Sequence, residues 1–414
     1  MKVGLIGEKL GHSFSKTIHE QIMDYTYDLI PLNLEEFHDF MKKKEFDAIN
    51  VTIPYKEKVI PYLDEMDEKA KSIGAINAIK NVNGRLIGTN TDFDGLKQMI
   101  QNHFEIQNSI VAICGSGGTS KTAYAVCKDL NVKEIIQVAR NRDIPYITYE
   151  QLKNRKEIEY IINTTSVGMS PNILSSIVDL DDYPNLKGVI DVVYNPLLTS
   201  LCYEAKQRNI PYICGLEMLV GQAISAIEFF TNQEVDPSLI QKISKEIYVK
   251  KRNIVLIGMP SCGKTSLGRK LSKELGYEFI DLDKRIVEKT QKTIPEIFKE
   301  SGEEGFRKIE AEVCLEVSKC NHTVISCGGG IIKNEINMKA LALNGFIIYI
   351  KRDVDRLLVG NGRPLSKDKH TLVKMFEERE PYYLKYSDAS VSNNGYFKYS
   401  LKKLKEVVYE NSRD

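Results

Sequence analysis

Two rhythms of apolar and polar positions alternate along this chain. Short unbroken apolar runs, such as residues 3–6, 109–114 and 253–257, predict strands buried on both faces, as in a parallel sheet. Between them, apolar residues return every three or four positions and predict helices. In chain order the pattern predicts a strand at 3–6, helices at 15–23 and 34–41, a strand at 48–53 and a helix at 64–73. Strands at 75–80 and 85–88 form a hairpin closed by Asn83-Gly84, and a helix at 92–102 follows. A second series then opens with a strand at 109–114, a helix ending at 130, and strands at 134–139, 160–163 and 188–192. Residues 216–230 read as a strongly apolar helix and 237–248 as a more polar one. A third series starts with a strand at 253–257 and a helix at 265–275.

Strands that alternate with helices imply α/β domains with parallel sheets. The chain of 414 residues is long enough for two or three of them. The expected division is 1–98, completed by helices in about 216–248, then a Rossmann-like unit at 99–215 and a last unit at 249–414. The short charged run Lys250-Lys251-Arg252 marks the final boundary, and with no long flexible linker there the halves are expected to be joined closely. Lys and Arg number 57 against 56 Asp and Glu, so no basic excess points to nucleic acid. No apolar run has membrane length and the first residues lead straight into a strand, so a cytoplasmic, non-membrane protein is expected. Eight scattered cysteines without a C-x-x-C pair read as free thiols in a reducing compartment.

The most specific chemistry lies at Gly258-Met259-Pro260-Ser261-Cys262-Gly263-Lys264-Thr265-Ser266, which fits the phosphate-binding loop G-x-x-x-x-G-K-[ST] between a strand and a helix. Backbone N–H groups and the helix N-terminus suit phosphate oxygens there. Lys264 would reach the β- and γ-phosphates, and the Thr265 hydroxyl would bind Mg²⁺. Downstream, Tyr277-Glu278-Phe279-Ile280-Asp281-Leu282-Asp283 places two carboxylates near the end of the next strand, two positions apart and so expected on one face. One would serve Mg²⁺ and the other would accept a proton from a substrate hydroxyl. No Asn-Lys-x-Asp segment for reading guanine follows. In the second series, Gly115-Ser116-Gly117-Gly118 stands between strand and helix, where a pyrophosphate could bind. The next strand ends in Ala139-Arg140-Asn141-Arg142 with no acid for a ribose 2′-hydroxyl; arginine suits a 2′-phosphate and favours NADP over NAD.

Residues 1–250 resemble shikimate dehydrogenase along their length. The resemblance rests on His12-Ser13-Phe14-Ser15, Asn50-Val51-Thr52-Ile53-Pro54-Tyr55-Lys56, Gly74-Ala75-Ile76-Asn77 and Asn90-Thr91-Asp92-Phe93-Asp94-Gly95. It continues through Asn163-Thr164-Thr165-Ser166-Val167-Gly168-Met169, Asp191-Val192-Val193-Tyr194-Asn195-Pro196 and Gly215-Leu216-Glu217-Met218-Leu219-Val220-Gly221-Gln222. The family implies reduction of 3-dehydroshikimate by NADPH, with Lys56 and Asp92 as the catalytic pair. Substrate partners by the same pattern are Ser13, Ser15, Thr52, Asn77, Tyr194 and Gln222. The cofactor would be lined by Gly115, Gly117, Gly118, Thr119, Arg140, Asn163, Thr164, Met169 and Gly215. Taken singly, Lys56 would read as a surface lysine and Asp92 as a helix N-cap. The chain departs from the pattern at Lys16, Glu20, Ala78, Thr119 and Ala139 without losing a catalytic group.

Residues 253–414 resemble shikimate kinase. The matching pieces are the phosphate loop, Asp281-Leu282-Asp283, Gly302-Glu303-Glu304-Gly305-Phe306-Arg307, Gly328-Gly329-Gly330, Arg363-Pro364-Leu365 and Arg379-Glu380-Pro381-Tyr382-Tyr383. The family implies transfer of the ATP γ-phosphate to the shikimate 3-hydroxyl. Asp283 would be the base, Asp281 would lie near Mg²⁺, and Arg307 and Arg379 would fork the substrate carboxylate. Gly328, Gly329 and Gly330 would admit the ring, and Arg363 would sit in a short lid over ATP, where Leu358-Val359-Gly360 takes the place of an arginine usual near adenine. ATP contacts would further include Gly258, Ser261, Cys262, Gly263 and Ser266.

The expected protein is thus a bifunctional enzyme of the route to aromatic amino acids, built as an α/β substrate domain, a Rossmann NADP domain and a P-loop kinase domain. It would act on small molecules and need no nucleic acid or membrane, with a homo-oligomer left open. Two other readings compete: a nucleotide-sensing regulator with one half inactive, and a quinate-type dehydrogenase that uses NAD. The presence of Lys56, Asp92, Lys264, Asp281 and Asp283 opposes the first, and the missing acid near Ala139 opposes the second.

Overall fold

The computed structural model describes residues 1–10, 14–140, 145–358 and 369–411. Three sheets account for its strands. The first contains β1 (Val3–Gly7), β2 (Tyr27–Pro31), β3 (Ala48–Val51), β4 (Glu65–Met66), β5 (Ala78–Val82) and β6 (Arg85–Thr89), in the order β2-β1-β3-β5-β6-β4. Its β1, β2 and β3 run parallel, whereas β5 is antiparallel to both β3 and β6. Asn83 and Gly84 close the β5–β6 hairpin with φ of 54° and 86°, as the dipeptide predicts.

The second sheet is wholly parallel: β7 (Ile110–Cys114), β8 (Glu134–Val138), β9 (Tyr160–Asn163), β10 (Gly188–Asp191) and β11 (Tyr212–Cys214), ordered β11-β10-β9-β7-β8. The third is also parallel: β12 (Asn253–Ile257), β13 (Glu278–Asp281), β14 (Thr323–Ser326), β15 (Gly345–Lys351) and β16 (Ala389–Ser392), ordered β13-β14-β12-β15-β16. In both parallel sheets the order reverses beside the first strand, between β7 and β9 and between β12 and β14. Crevices at such points are where open α/β sheets take ligands.

The chain divides into two compact units. One comprises Met1–Met169, Ser175–Tyr194 and Leu201–Glu246, and the other Ser170–Leu174, Asn195–Ser200 and Ile247–Asp414. Helices α1 (Ser15–Ile22), α2 (Leu34–Lys43), α3 (Glu68–Ile73) and α4 (Thr91–His103) belong to the first sheet's part of the first unit. Helices α5 (Gly118–Asp129), α6 (Tyr149–Leu152) and α7 (Ser200–Gln207) accompany the second sheet, and α8 (Leu216–Thr231) packs back on α1, α4 and β5. The α4–α8 crossing is close because both faces carry glycine: a Cβ on Gly95 would lie 2.6 Å from the Met218 carbonyl oxygen, and one on Gly221 would lie 3.2 Å from the Gly95 Cα. Helix α9 (Ser238–Lys251) runs straight into β12. Lys251 and Arg252, expected in a polar boundary, are each only 5% exposed. The Arg252 guanidinium lies 4.8 Å from the Phe346 ring centroid and donates to the Asn411 carbonyl oxygen.

Three local readings change. Residues 64–73 do not form one helix, because Glu65–Met66 pairs with β6 and the Asp67 side chain caps α3 by accepting from the Ala70 N–H. Edge strand β2 and strand β11 carry mixed or short patterns that periodicity alone does not mark. Finally, β13 ends at Asp281, so Asp283 lies in the first turn of α11 (Leu282–Thr290) rather than on the strand. The reason is local: the Asp281 side chain accepts from the Lys284 N–H and starts the helix.

Candidate active sites

In the first unit, Lys56 and Asp92 meet. The Lys56 Nζ lies 2.5 Å from Asp92 Oδ2, with side-chain exposures of 22% and 12%. Lys56 follows β3 on a short turn in which the Tyr55 N–H donates to the Thr52 carbonyl oxygen. The Tyr55 ring is buried and stacks on Phe37, which pins that turn. Asp92 is the second residue of α4 and does not cap it. Asn90 does so, accepting from the Phe93 N–H, and Asp92 reaches Lys56 instead.

Asn77 is 3% exposed, and its side-chain oxygen accepts from the Thr91 N–H at 2.7 Å, so it orients the start of α4. Ser15 is the first residue of α1, behind Phe14, whose ring meets that of Tyr194 edge-on at 6.4 Å. Burial raises the Tyr194 phenol pKa above its ordinary value. Gln222, on α8, donates to the Leu219 carbonyl oxygen one turn back. Ser13 lies outside the described residues.

The nucleotide turn follows β7. Gly115 has φ of 127°, and a Cβ there would lie 2.5 Å from Thr164 Oγ1, so glycine is needed for the β7 and β9 turns to approach. Gly117 precedes α5 and Gly118 begins it. A Cβ on either would meet nothing within 4 Å among the described residues, which leaves the α5 N-terminus open to an anion. That opening fits a pyrophosphate. Thr119 occupies the same first turn, Arg140 is exposed just beyond β8, and Met169 is 44% exposed. Asn163 is 1% exposed and faces inward: its amide donates to Asp191 and accepts from the Thr165 N–H and hydroxyl, which shapes the turn beside Thr164. A Cβ on Gly215 would collide with the Val192 carbonyl oxygen.

In the second unit, a cavity of about 390 Å³ is lined by the phosphate loop, Asp281, Asp283, Arg307, Gly328–Gly330 and Arg379. Gly258 and Gly263 have φ of 143° and 100°. Lys264 begins α10 (Lys264–Leu275), is 7% exposed, and donates to the carbonyl oxygens of Gly258 and Met259 at 2.9 Å. The Thr265 hydroxyl donates to Asp281 Oδ2 at 2.7 Å, a pair of hard oxygens that fits Mg²⁺. Cys262 is buried with its sulfur 3.7 Å from the Lys264 Nζ, and Ser266 lines the cavity.

Gly328–Gly330 let three groups close in: a Cβ would lie 2.8 Å from Asp283 Oδ1 at Gly328, 2.7 Å from Pro260 Cδ at Gly329, and would collide with the Arg307 guanidinium at Gly330. Arg307 sits on the second arm of α12 (Ile294–Val317), which breaks at Gly302 with φ of 69°. It donates to Glu310 at 2.7 Å and Glu303 at 3.0 Å. Helix α13 (Glu335–Asn344) precedes β15, and α14 (Lys369–Tyr386) carries Arg379, which is 4% exposed and donates to the Gly329 carbonyl oxygen at 3.0 Å. Among the described residues its buried Nε has no hydrogen-bond partner, a donor suited to a further anionic group. Arg363 and most of the expected lid fall outside the described residues.

Several residues at these sites carried no motif. Glu310 is 1% exposed, and burial raises its carboxyl pKa despite the opposing Arg307 charge. Its spacing of three from Arg307 on a helix was the available signal. Asn393 lies between β16 and α15 (Phe397–Glu410) and donates to the Cys262 carbonyl oxygen at 2.8 Å, bracing the phosphate loop across 131 positions of sequence. Ser326 approaches Thr265, and the Tyr383 hydroxyl donates to the Gly329 carbonyl oxygen at 2.5 Å.

A family model described as shikimate dehydrogenase substrate binding domain matches residues 5–79, and one described as shikimate kinase matches residues 260–408. A protein of Clostridium perfringens named shikimate dehydrogenase (NADP(+)) is 35% identical over 263 residues, spanning 59% of this chain and 97% of the relative. A crystal structure of shikimate dehydrogenase 1 from Peptoclostridium difficile is 33% identical with a TM-score of 0.55, covering 59% of this chain and 97% of that one. A chorismate mutase/shikimate 5-dehydrogenase fusion protein from Clostridium acetobutylicum is 34% identical with a TM-score of 0.56, covering 59% and 96%.

Proposed function

Because the chain belongs to the shikimate dehydrogenase family and carries a shikimate kinase domain at its C-terminal end, we propose that it catalyses two consecutive steps, reducing 3-dehydroshikimate to shikimate with NADPH and then phosphorylating the shikimate 3-hydroxyl with ATP. The observation that carries this reading is that one chain holds both the Lys56–Asp92 pair and a cavity uniting Lys264 with Asp283, Arg307 and Arg379.

NADPH, when bound, supplies the hydride. Hydride arrival at the carbonyl carbon leaves charge on the oxygen, which needs a proton donor within hydrogen-bond reach. Lys56 gives that proton, and Asp92 keeps the ammonium in place. Ser13, Ser15, Thr52, Asn77, Tyr194 and Gln222 hold the substrate's carboxylate and hydroxyls. The open start of α5 with Gly115, Gly117, Gly118 and Thr119 receives the pyrophosphate, and Arg140 takes the 2′-phosphate by a charge-assisted bond. Asn163, Thr164, Met169 and Gly215 shape the rest of that wall. The relatives named for NADP(+) favour the same cofactor.

In the second unit, Arg307 and Arg379 fork the shikimate carboxylate and turn its 3-hydroxyl toward Asp283, which accepts the proton. Lys264 exchanges the carbonyl oxygens of Gly258 and Met259 for phosphate oxygens. Thr265 and Asp281 would hold Mg²⁺, which neutralises phosphate charge. Arg363 completes the ATP side. The substrate lobe at 1–98 with its returning helices, the nucleotide lobe at 99–215 and the kinase at 249–414 are the corresponding functional divisions.

The test is a coupled assay on the full chain with 3-dehydroshikimate, comparing NADPH with NADH and adding or omitting ATP with Mg²⁺. Shikimate should form with NADPH alone and shikimate 3-phosphate only when ATP is added. Failure of either product removes the corresponding half of the assignment, and equal rates with NADH remove the role of Arg140.

A further inference from the structure

Tyr27, which no motif marks, is held by side chains of α1 on its ring, its phenol and its backbone. It is the first residue of edge strand β2 and is fully buried. Its ring stacks on His19 with centroids 4.2 Å apart. Its phenol donates to Asn50 Oδ1 at 2.8 Å and is hydrogen-bonded to the Ser15 side chain. Its backbone is held too. The N–H donates to Glu20 Oε1 at 3.0 Å, the carbonyl oxygen accepts from the Lys16 Nζ at 2.7 Å, and Lys16 and Glu20 pair at 2.7 Å. Lys16 and Glu20 stand at two positions where this chain departs from the family pattern. Together they satisfy backbone groups of the edge strand at Tyr27.

The line of contacts continues inward. The Asn50 amide donates to the Asn77 carbonyl oxygen at 3.2 Å, and Asn77 in turn receives the N–H of Thr91, the residue before Asp92. A buried series Ser15–Tyr27–Asn50–Asn77–Thr91 therefore joins the start of α1 to the start of α4. Phenylalanine would fill the same space and keep the stack on His19. The hydroxyl is thus separable from packing, and a buried hydroxyl is tolerated only when partnered.

We propose that Tyr27 is a positioning residue of the dehydrogenase site. Its phenol fixes Ser15 relative to the Asn50–Asn77–Thr91 frame, and so sets the spacing between a substrate-holding hydroxyl and the Lys56–Asp92 pair. The proposal rests on the reading that Ser15 contacts 3-dehydroshikimate.

The experiment is Tyr27→Phe in the full chain, with initial rates and thermal unfolding measured together. The KM for 3-dehydroshikimate should rise roughly five- to tenfold, the scale of one buried hydrogen bond, while kcat and the KM for NADPH stay within about twofold. A folded Tyr27→Phe protein with an unchanged KM for 3-dehydroshikimate overturns the proposal, as does a fall in kcat alone. Should that variant fail to fold, Glu20→Ala is read instead; it removes the acceptor of the Tyr27 N–H, loosens the seat of Tyr27 on α1, and should raise the same KM about twofold. An unchanged KM in Glu20→Ala then overturns it. Wild-type protein that does not oxidise NADPH with 3-dehydroshikimate would overturn the assigned reaction instead.

Discussion

The two units build their sites from different materials. In the first, the Lys56–Asp92 pair is already formed at 2.5 Å, and side chains from distant segments hold it: Asn77 and Asn90 at the head of α4, and the Tyr55–Phe37 stack under the Lys56 turn. In the second, backbone does most of the shaping. Gly258 and Gly263 take conformations that favour glycine, Gly328–Gly330 leave no room for a Cβ, and the Lys264 charge rests on carbonyl oxygens of its own loop. A preformed ion pair suits a group that must hand over and recover a proton at a fixed place. A lysine resting on carbonyls suits a group whose true partner, a phosphate, arrives with the ligand.

This contrast can be broken most sharply at Lys56. Lys56→Ala should lower NADPH-dependent reduction by roughly 10²–10⁴-fold, the range for losing a general acid, with phosphorylation of added shikimate unchanged. Assaying both reactions on one preparation decides it, and near-wild-type reduction would remove Lys56 from its role.

The buried side-chain frame of the first unit should also be its acid-sensitive part. Burial lowers the His19 pKa from 6.5 to about 3. In the unfolded chain the ring charges near its ordinary value, so that state binds the extra proton as pH falls from 6.5 toward 3. Stability is therefore full above pH 6.5 and is lost progressively below it, by roughly several kcal/mol at the acid end. Thermal unfolding across that range should show a steep slope in wild type and a shallower one in His19→Phe, and equal slopes would rule the histidine out.

The backbone-built site has its own weak point. Gly263→Ala forces a Cβ into Asn393 at a φ of 100° and should destabilise the second unit by about 1–3 kcal/mol while weakening ATP binding. Dehydrogenase rates should not move, and a variant that binds ATP normally would show that the loop tolerates the residue. The smallest effect is expected at Glu57, beside Lys56 in sequence, which pairs with Lys121 of α5 at 2.7 Å, with both side chains well exposed. Glu57→Gln should change stability by less than about 1 kcal/mol, and a larger shift in unfolding temperature would show that this pair does more than a solvated contact.

The candidate residues of both sites were legible along the chain because they sit in short local signals. The loop from Gly258 to Ser266, the glycines after Cys114, and the segments around Lys56 and Asp92 each need only a few adjacent residues to specify a turn or helix start. Asp283 was legible as a carboxylate but not in its setting, since hydrogen bonding by Asp281 ended the strand two residues early. Glu310 had a faint signal in its spacing from Arg307.

What the chain determined alone was therefore the alternation of strands and helices, the places where the backbone must turn around an anion, and the charged groups available there. Periodicity and glycine conformation are local properties, and local sequence carries them. Tertiary structure alone decided which partners those groups keep. Asn393 under the phosphate loop, Arg252 against Phe346, and Tyr27 between Ser15 and Asn50 depend on segments that are remote in sequence. Such contacts exist only once sheet order and helix packing have brought the segments together, and no pattern of neighbouring residues encodes them.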